Sequence, residues 1–137
     1  MNEFPGVNTQ GVSHLRLDFG IGGVIPIHSH PLAAETLFVV KGSIYTGFIS
    51  DDNVLYASTL QVGDITLFPK GTQHFQLNVG NETAVTFNTL TSQNPGFLLT
   101  ANQVFETGVP SAVLEKSFGI NAKEVKSIQG SVPRYWG

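Results

Sequence analysis

Short runs of β-branched and aromatic residues, each bounded by Gly, Pro, Asn, Asp or Ser, dominate the chain as far as Asn94-Pro95-Gly96. This pattern predicts strands over 12–19, 35–40, 43–49, 54–60, 64–68, 73–79 and 83–90. The first alternates imperfectly through His14, Leu15, Arg16, Leu17, Asp18 and Phe19, then stops at Gly20-Ile21-Gly22-Gly23. Segments 35–40 and 43–49 read as a hairpin around Lys41-Gly42. Ser50-Asp51-Asp52-Asn53 is a turn by composition, with further turns at Val62-Gly63, Lys70-Gly71 and Gly80-Asn81. Pro69 closes a strand, where a missing N–H does least harm. There is no internal repeat and no low-complexity linker. The fold class is all-β, an antiparallel barrel or sandwich.

The pattern changes after Gly96. Segments 110–118 and 121–128 read as short helices, the second opened by Asn121 with Glu124 three residues later, a capping box. Neither is long enough to stand alone in water, so Val113, Leu114, Phe118, Val125 and Ile128 are expected to supply packing contacts. The organisation is a single barrel over 1–97, a helical extension of the same domain over 98–130, and a tail over 131–137 containing Pro133, Tyr135 and Trp136, to which the pattern assigns no role.

At 137 residues the chain suits one domain with one core. Charged residues make up only 12% against 41% hydrophobic, so charged surface is scarce and burial against other subunits is expected. The net charge is −3 and no basic cluster is present, which argues against nucleic acid or an anionic membrane surface as partner. No run approaches a membrane span, and no basic-then-apolar leader is present. The chain has no cysteine and therefore no disulfide.

The chemistry concentrates in two glycine- and proline-framed segments. The first reads Gly22-x5-His28-x-His30-x4-Glu35-x6-Gly42 and the second Gly63-x5-Pro69-x-Gly71-x2-His74-x3-Asn78. Residues at i and i+2 on an extended segment project from one face, so His28 and His30 can reach one ion. The stretch Pro31-Leu32-Ala33-Ala34 can bend the chain and return Glu35 to that ion, and His74 supplies a fourth ligand from a distant strand. Three imidazoles and one carboxylate leave two positions open on a six-coordinate ion. A donor set without thiolate favours Mn, Fe, Co, Ni or Zn without ranking them. His14 belongs to neither segment and is read as a non-ligand. Gln76 and Asn78 alternate with His74 and are expected to support the ligands rather than bind the ion. Phe38, Phe48, Phe68, Phe75 and Phe87 read as core or interface. Asn81-Glu82-Thr83 is a glycosylation sequon in a turn, usable if the chain is secreted.

The two segments resemble the paired motifs of cupins. The words Phe4-Pro5-Gly6-Val7-Asn8-Thr9, Gly22-Gly23-Val24-Ile25-Pro26, Phe68-Pro69-Lys70-Gly71, His74-Phe75-Gln76 and Ser92-Gln93-Asn94-Pro95-Gly96 resemble plant germin-like proteins, the auxin-binding type in particular. The resemblance spans about residues 4–130. It implies a cupin jelly-roll β-barrel with short C-terminal helices and Mn held by His28, His30, Glu35 and His74. It also implies an extracellular glycoprotein of the apoplast or cell wall, assembled as a trimer of dimers. Family members carry an N-terminal signal peptide and cysteine-bearing segment, whereas this chain begins Met1-Asn2-Glu3-Phe4.

Oxalate-oxidising germins carry two asparagines near the metal, and the aligned positions here are Leu15 and Ile25. Oxalate needs polar donors beyond the metal, so weak or absent oxalate oxidase activity is expected. Three readings of the pocket stand at this point. The resemblance implies superoxide dismutase-type activity, which needs little substrate recognition. Leu15 and Ile25 also suit non-catalytic binding of a small carboxylic acid such as an auxin, or a pocket recruited to transform a hydrophobic plant metabolite.

Overall fold

The computed structural model describes residues 4–133, which divide into two compact units between Phe97 and Leu98. In the first, a 3-10 turn at Pro5–Val7 precedes β1 (Ser13–Phe19), β2 (Val24–Ser29), β3 (Glu35–Lys41), β4 (Ile44–Ile49), β5 (Leu55–Leu60), β6 (Ile65–Phe68), β7 (Gln73–Asn78) and β8 (Ala84–Leu90). One antiparallel sheet runs β1-β8-β3-β6, and the other, within this unit, runs β5-β4-β7-β2. The expected strands are present, with ends moved by a residue or so.

The expected hairpin around Lys41-Gly42 does not form. β3 pairs with β6 and β8, whereas β4 pairs with β5 and β7, so the chain changes sheets between them. Gly42 permits the crossing. Its φ is +79°, and a Cβ there would stand 2.7 Å from the Ala84 Cβ, so a side chain would be both strained and obstructed. The local hairpin is β4–β5, closed by Ser50 N–H donating to Val54 C=O at 3.0 Å.

Between the sheets lies an apolar core of Phe19, Leu37, Val39, Ile44, Leu60, Phe68 and Ala84, against which Leu17, Ile25 and Phe48 pack. The outer face of the first sheet is also apolar. Ile65, Phe38 and Phe87 follow one another across β6, β3 and β8 in register, with Arg16 of β1 at the end of the row. All three are substantially exposed, as are Val40 and Leu67. Of the five phenylalanines expected in core or interface, only Phe68 is fully buried.

The second unit contains the short strand β9 (Leu98–Leu99) and helices α1 (Thr100–Phe105), α2 (Ser111–Phe118) and α3 (Ala122–Ser131). Asn121 and Glu124 make the expected capping box, the Asn121 Oδ1 accepting from the Lys123 and Glu124 amides and Glu124 accepting from the Asn121 amide. Helix α1 carries no sequence signal: it is six residues long and has no side-chain cap or acidic first turn. Leu114 and Val125 are buried, but Val113 and Phe118 remain half exposed. Phe118 meets the Phe105 ring at 5.3 Å. Of the expected tail, Ser131 ends α3 and 134–137 lie outside the described residues. No helix among the described residues is long and apolar enough to cross a membrane.

Candidate metal centre

The strands bring His28, His30, Glu35 and His74 together, with one potential ligand atom from each lying within 4.8 Å of the others. All four side chains are buried. His28 lies on β2 directly across from His74 on β7, just after a register shift between Ile25 and His28. Such a shift bends a strand and re-aims the next side chain. His30 follows the end of β2, and Glu35 opens β3 between Phe68 of β6 and Leu90 of β8.

Each imidazole is fixed in the same way. The Nδ1–H of His28 donates to the Pro26 carbonyl at 2.7 Å, that of His30 to Gly96 at 2.5 Å, and that of His74 to Thr72 at 2.9 Å. A backbone carbonyl can only accept, so each Nδ1 carries a proton, and in the neutral ring the Nε2 keeps its lone pair. The Nε2 atoms of His30 and His74 lie 3.0 and 3.1 Å from the Glu35 Oε2. Ligands about 2.1 Å from a divalent ion and at right angles to each other would stand about 3.0 Å apart, so this spacing and donor set fit such an ion. Phe68 stacks on His74 at 4.4 Å and Phe97 lies 4.8 Å from His28, so aromatic rings flank the imidazoles.

Electrostatics follow from burial opposed by pairing. Burial lowers the His28 pKa to about 4, helped by the neighbouring His74, so the ring is neutral at physiological pH. Burial acts the same way on His30, but hydrogen bonds to Glu35 and Gly96 outweigh it and raise its pKa. Glu35 is the reverse case. Burial would raise its pKa, yet hydrogen bonds from His30, His74 and Asn88 bring it down to about 2. The carboxylate is therefore charged and available to a cation.

His14 lies outside this group. It faces out from β1, stacks on Phe87 at 5.8 Å and contacts the Thr89 hydroxyl at 3.0 Å. Leu15 and Ile25 are partly buried, Leu15 paired with Asn88 and Ile25 with Gln76. Gln76 is 1% exposed, and neither its Oε1 nor its Nε2 has a hydrogen-bond partner among the described residues. Asn78 makes different contacts from those expected of a ligand-supporting residue. Its Nδ2 donates to the carbonyls of Phe19, Gly20 and Glu82, and its Oδ1 accepts from the Gly80 amide. Asn81 is exposed in the following turn, where Lys41 pairs with Glu82 at 3.0 Å.

Sequence reasoning missed Asn88 and Thr86. Both are completely buried on β8, and Asn88 reaches the Glu35 carboxylate. The signal lay in the alternation of β8, where Ala84, Thr86, Asn88 and Leu90 share one face and Val85, Phe87 and Thr89 the other. The exposed Phe87 belongs to the face that a hydrophobicity rule would bury.

Two antiparallel sheets around a buried three-histidine, one-carboxylate cluster define a mostly-β jelly roll with a site that could bind a metal. A family model described as Cupin matches residues 1–126, and the chain belongs to that family. Within it the chain is germin-like. It is 42% identical to germin-like protein 8-14 of Oryza sativa over 94% of this chain and 61% of the relative. It is also 42% identical to auxin-binding protein ABP19a of Prunus persica over 93% of this chain and 61% of the relative. The chain thus spans about three fifths of the length of these curated relatives. A solved oxalate oxidase in complex with the substrate analogue glycolate matches 94% of this chain and 67% of its own, with 36% identity and a TM-score of 0.89.

Proposed function

We propose that this germin-like cupin is a manganese-dependent oxidoreductase that dismutes superoxide. The observation that carries the reading is that all three imidazoles are held through Nδ1 by a backbone carbonyl, with the Nε2 atoms of His30 and His74 at 3.0 and 3.1 Å from the Glu35 carboxylate and His28 in the same cluster. When bound, manganese supplies paired one-electron steps through which two superoxide ions and two protons become dioxygen and hydrogen peroxide; Fe, Zn, Co and Ni are the alternative occupants, of which Zn cannot cycle. The protein's part is to hold four ligands rigidly and flank them with Phe68 and Phe97. Superoxide is small and needs no elaborate recognition, which suits a site whose aligned neighbours Leu15 and Ile25 are aliphatic.

Metal analysis coupled to a dismutase assay on matched loaded and stripped protein tests this. Near-stoichiometric manganese, azide-sensitive activity lost on stripping, and an inactive His28→Ala are expected. Inactive manganese-loaded protein overturns it.

A second reading is supported by Gln76, whose buried amide lacks partners beside the aliphatic Ile25. A small carboxylic acid such as an auxin could place its carboxylate on the ion, its ring among Leu15 and Ile25, and a polar atom on Gln76. Auxin affinity lost on metal removal, without superoxide turnover, would favour binding over catalysis. Oxalate oxidation should be weak in either case, and efficient hydrogen peroxide release from oxalate would contradict that. The exposed row of Ile65, Phe38 and Phe87 supports self-association, consistent with a trimer of dimers and checked by light scattering. An extracellular, glycosylated form carrying its sugar on Asn81 rests on the germin-like resemblance and the exposure of that turn. Expression in a plant secretory system with a full-length leader would test it.

A further inference from the structure

The Glu35 carboxylate has two oxygens in different surroundings. Oε2 faces the Nε2 atoms of His30 and His74 at 3.0 and 3.1 Å, on the side where the four ligand atoms gather. Oε1 accepts a hydrogen bond from Asn88 Nδ2 at 2.5 Å. The other end of that amide is also occupied, because the Thr86 hydroxyl donates to Asn88 Oδ1 at 2.7 Å. Thr86 and Asn88 are both 0% exposed. A hydroxyl can donate or accept, but a carboxylate oxygen can only accept, so Glu35 dictates which end of the amide it meets and Thr86 secures the other. The neighbours across the strand ladders from Asn88 are Leu15 on β1 and Leu37 on β3, and neither aliphatic side chain can replace the amide as donor.

We propose that Asn88, oriented by Thr86, is a positioning residue that confines Glu35 to ligation through Oε2 alone. The proposal rests on the reading of this cluster as a metal site. A carboxylate free to turn can bind an ion through both oxygens, which on a six-coordinate centre with three imidazoles leaves one open position. A carboxylate pinned at Oε1 leaves two. Asn88 thereby sets how many exogenous groups the centre admits, although it touches neither the ion nor a substrate. The hydrogen bond also fixes the direction from which the carboxylate approaches, as partners of metal ligands generally do.

The experiment compares wild type, Asn88→Ala and Thr86→Val by Mn(II) titration and by the electron paramagnetic resonance spectrum of the Mn(II)-loaded proteins, with azide as probe of the open positions. Thr86→Val retains the amide and nearly the same volume while removing the hydroxyl that orients it, so it serves if Asn88→Ala does not fold. The expected results are roughly 10–100-fold weaker Mn(II) binding in Asn88→Ala, an altered zero-field splitting in both variants, and a smaller azide-induced spectral change than in wild type. A purely structural role would lower thermal stability and leave the spectrum and the azide response alone. Folded variants with wild-type spectra and azide response overturn this proposal by itself. Wild-type protein that takes up no Mn(II) overturns the metal reading, and this proposal with it.

Discussion

The barrel interior has two polar ends, and β7 runs through both. At one end His74 joins His28, His30 and Glu35; at the other, four residues along the same buried face, Asn78 is surrounded by backbone. Asn78 is saturated: three carbonyls and one amide claim its side chain. At the His74 end the three imidazoles are each tied to backbone at Nδ1, while the Nε2 atoms of His30 and His74 converge on the Glu35 carboxylate rather than on the backbone. Between them Gln76 is as buried as either, and its side-chain amide has no hydrogen-bond partner among the described residues. A buried polar group whose bonds are all satisfied within the chain stabilises the fold, and one whose free valences converge in a common direction is available to something outside it. Burial alone does not distinguish the two.

The contrast is broken most severely at the metal end. His74→Ala should weaken Mn(II) binding more than about 100-fold, beyond the range for losing a mere neighbour of a ligand. Isothermal titration would measure it, and near-normal affinity would show that His74 is not a ligand. Asn78→Ala should do the reverse, costing about 2–4 kcal/mol of stability in stripped protein because several buried backbone groups lose their partner. Denaturant unfolding measures this. If Asn78→Ala also reduced metal affinity as strongly as His74→Ala, the two ends would be one functional unit.

Acidification separates the ends further. In metal-stripped protein the folded pKa of His28, about 4, lies below its ordinary 6.5, and that of Glu35, about 2, lies below 4.5. The unfolded chain therefore binds more protons across both windows, so stability is present above them and lost as pH falls through them. His30 is raised, and its contribution, complete below 6.5, fades only at higher pH. Calorimetry from pH 6.5 to 4 should thus show a falling Tm in wild type and a parallel, uniformly lower curve in Asn78→Ala. A flat wild-type profile would contradict the assignment to His28.

The smallest effect belongs to Gln76. Gln76→Leu should leave stripped-protein stability unchanged or raise it by about 1 kcal/mol, because an unpartnered buried amide is replaced by an apolar group. Thermal unfolding reads the change. A loss of more than about 1 kcal/mol would mean that the amide is satisfied within the fold.

Much of this was legible along the chain. Seven of the strands followed from alternation and turn residues, with β2 missed, and the four-residue cluster from His28 and His30 two apart, Glu35 after a bend and His74 in a second framed segment. The capping box at Asn121 and Glu124 was readable because its two hydrogen bonds lie within four residues. What escaped had a common cause. Alternation says that successive side chains of a strand point to opposite sides, but not which side is inside. On β8 the polar face is buried and Phe87 is outside, so Asn88 passed unnoticed. The Lys41-Gly42 crossing looked like a hairpin because turn residues end a strand without naming the next strand's partner, which was settled by pairings to β6, β7 and β8 far along the sequence.

The sequence by itself determined seven of the strands, the grouping of His28, His30, Glu35 and His74, and the germin-like cupin resemblance, because each is written in spacings of a few residues or in whole motifs. Only the tertiary structure decided that β3 and β4 belong to different sheets, that Asn78 serves the fold, that Gln76 is left unpartnered, and that Asn88 holds the far oxygen of Glu35. Those facts depend on which strands lie side by side and which face is enclosed, and no local pattern carries that information.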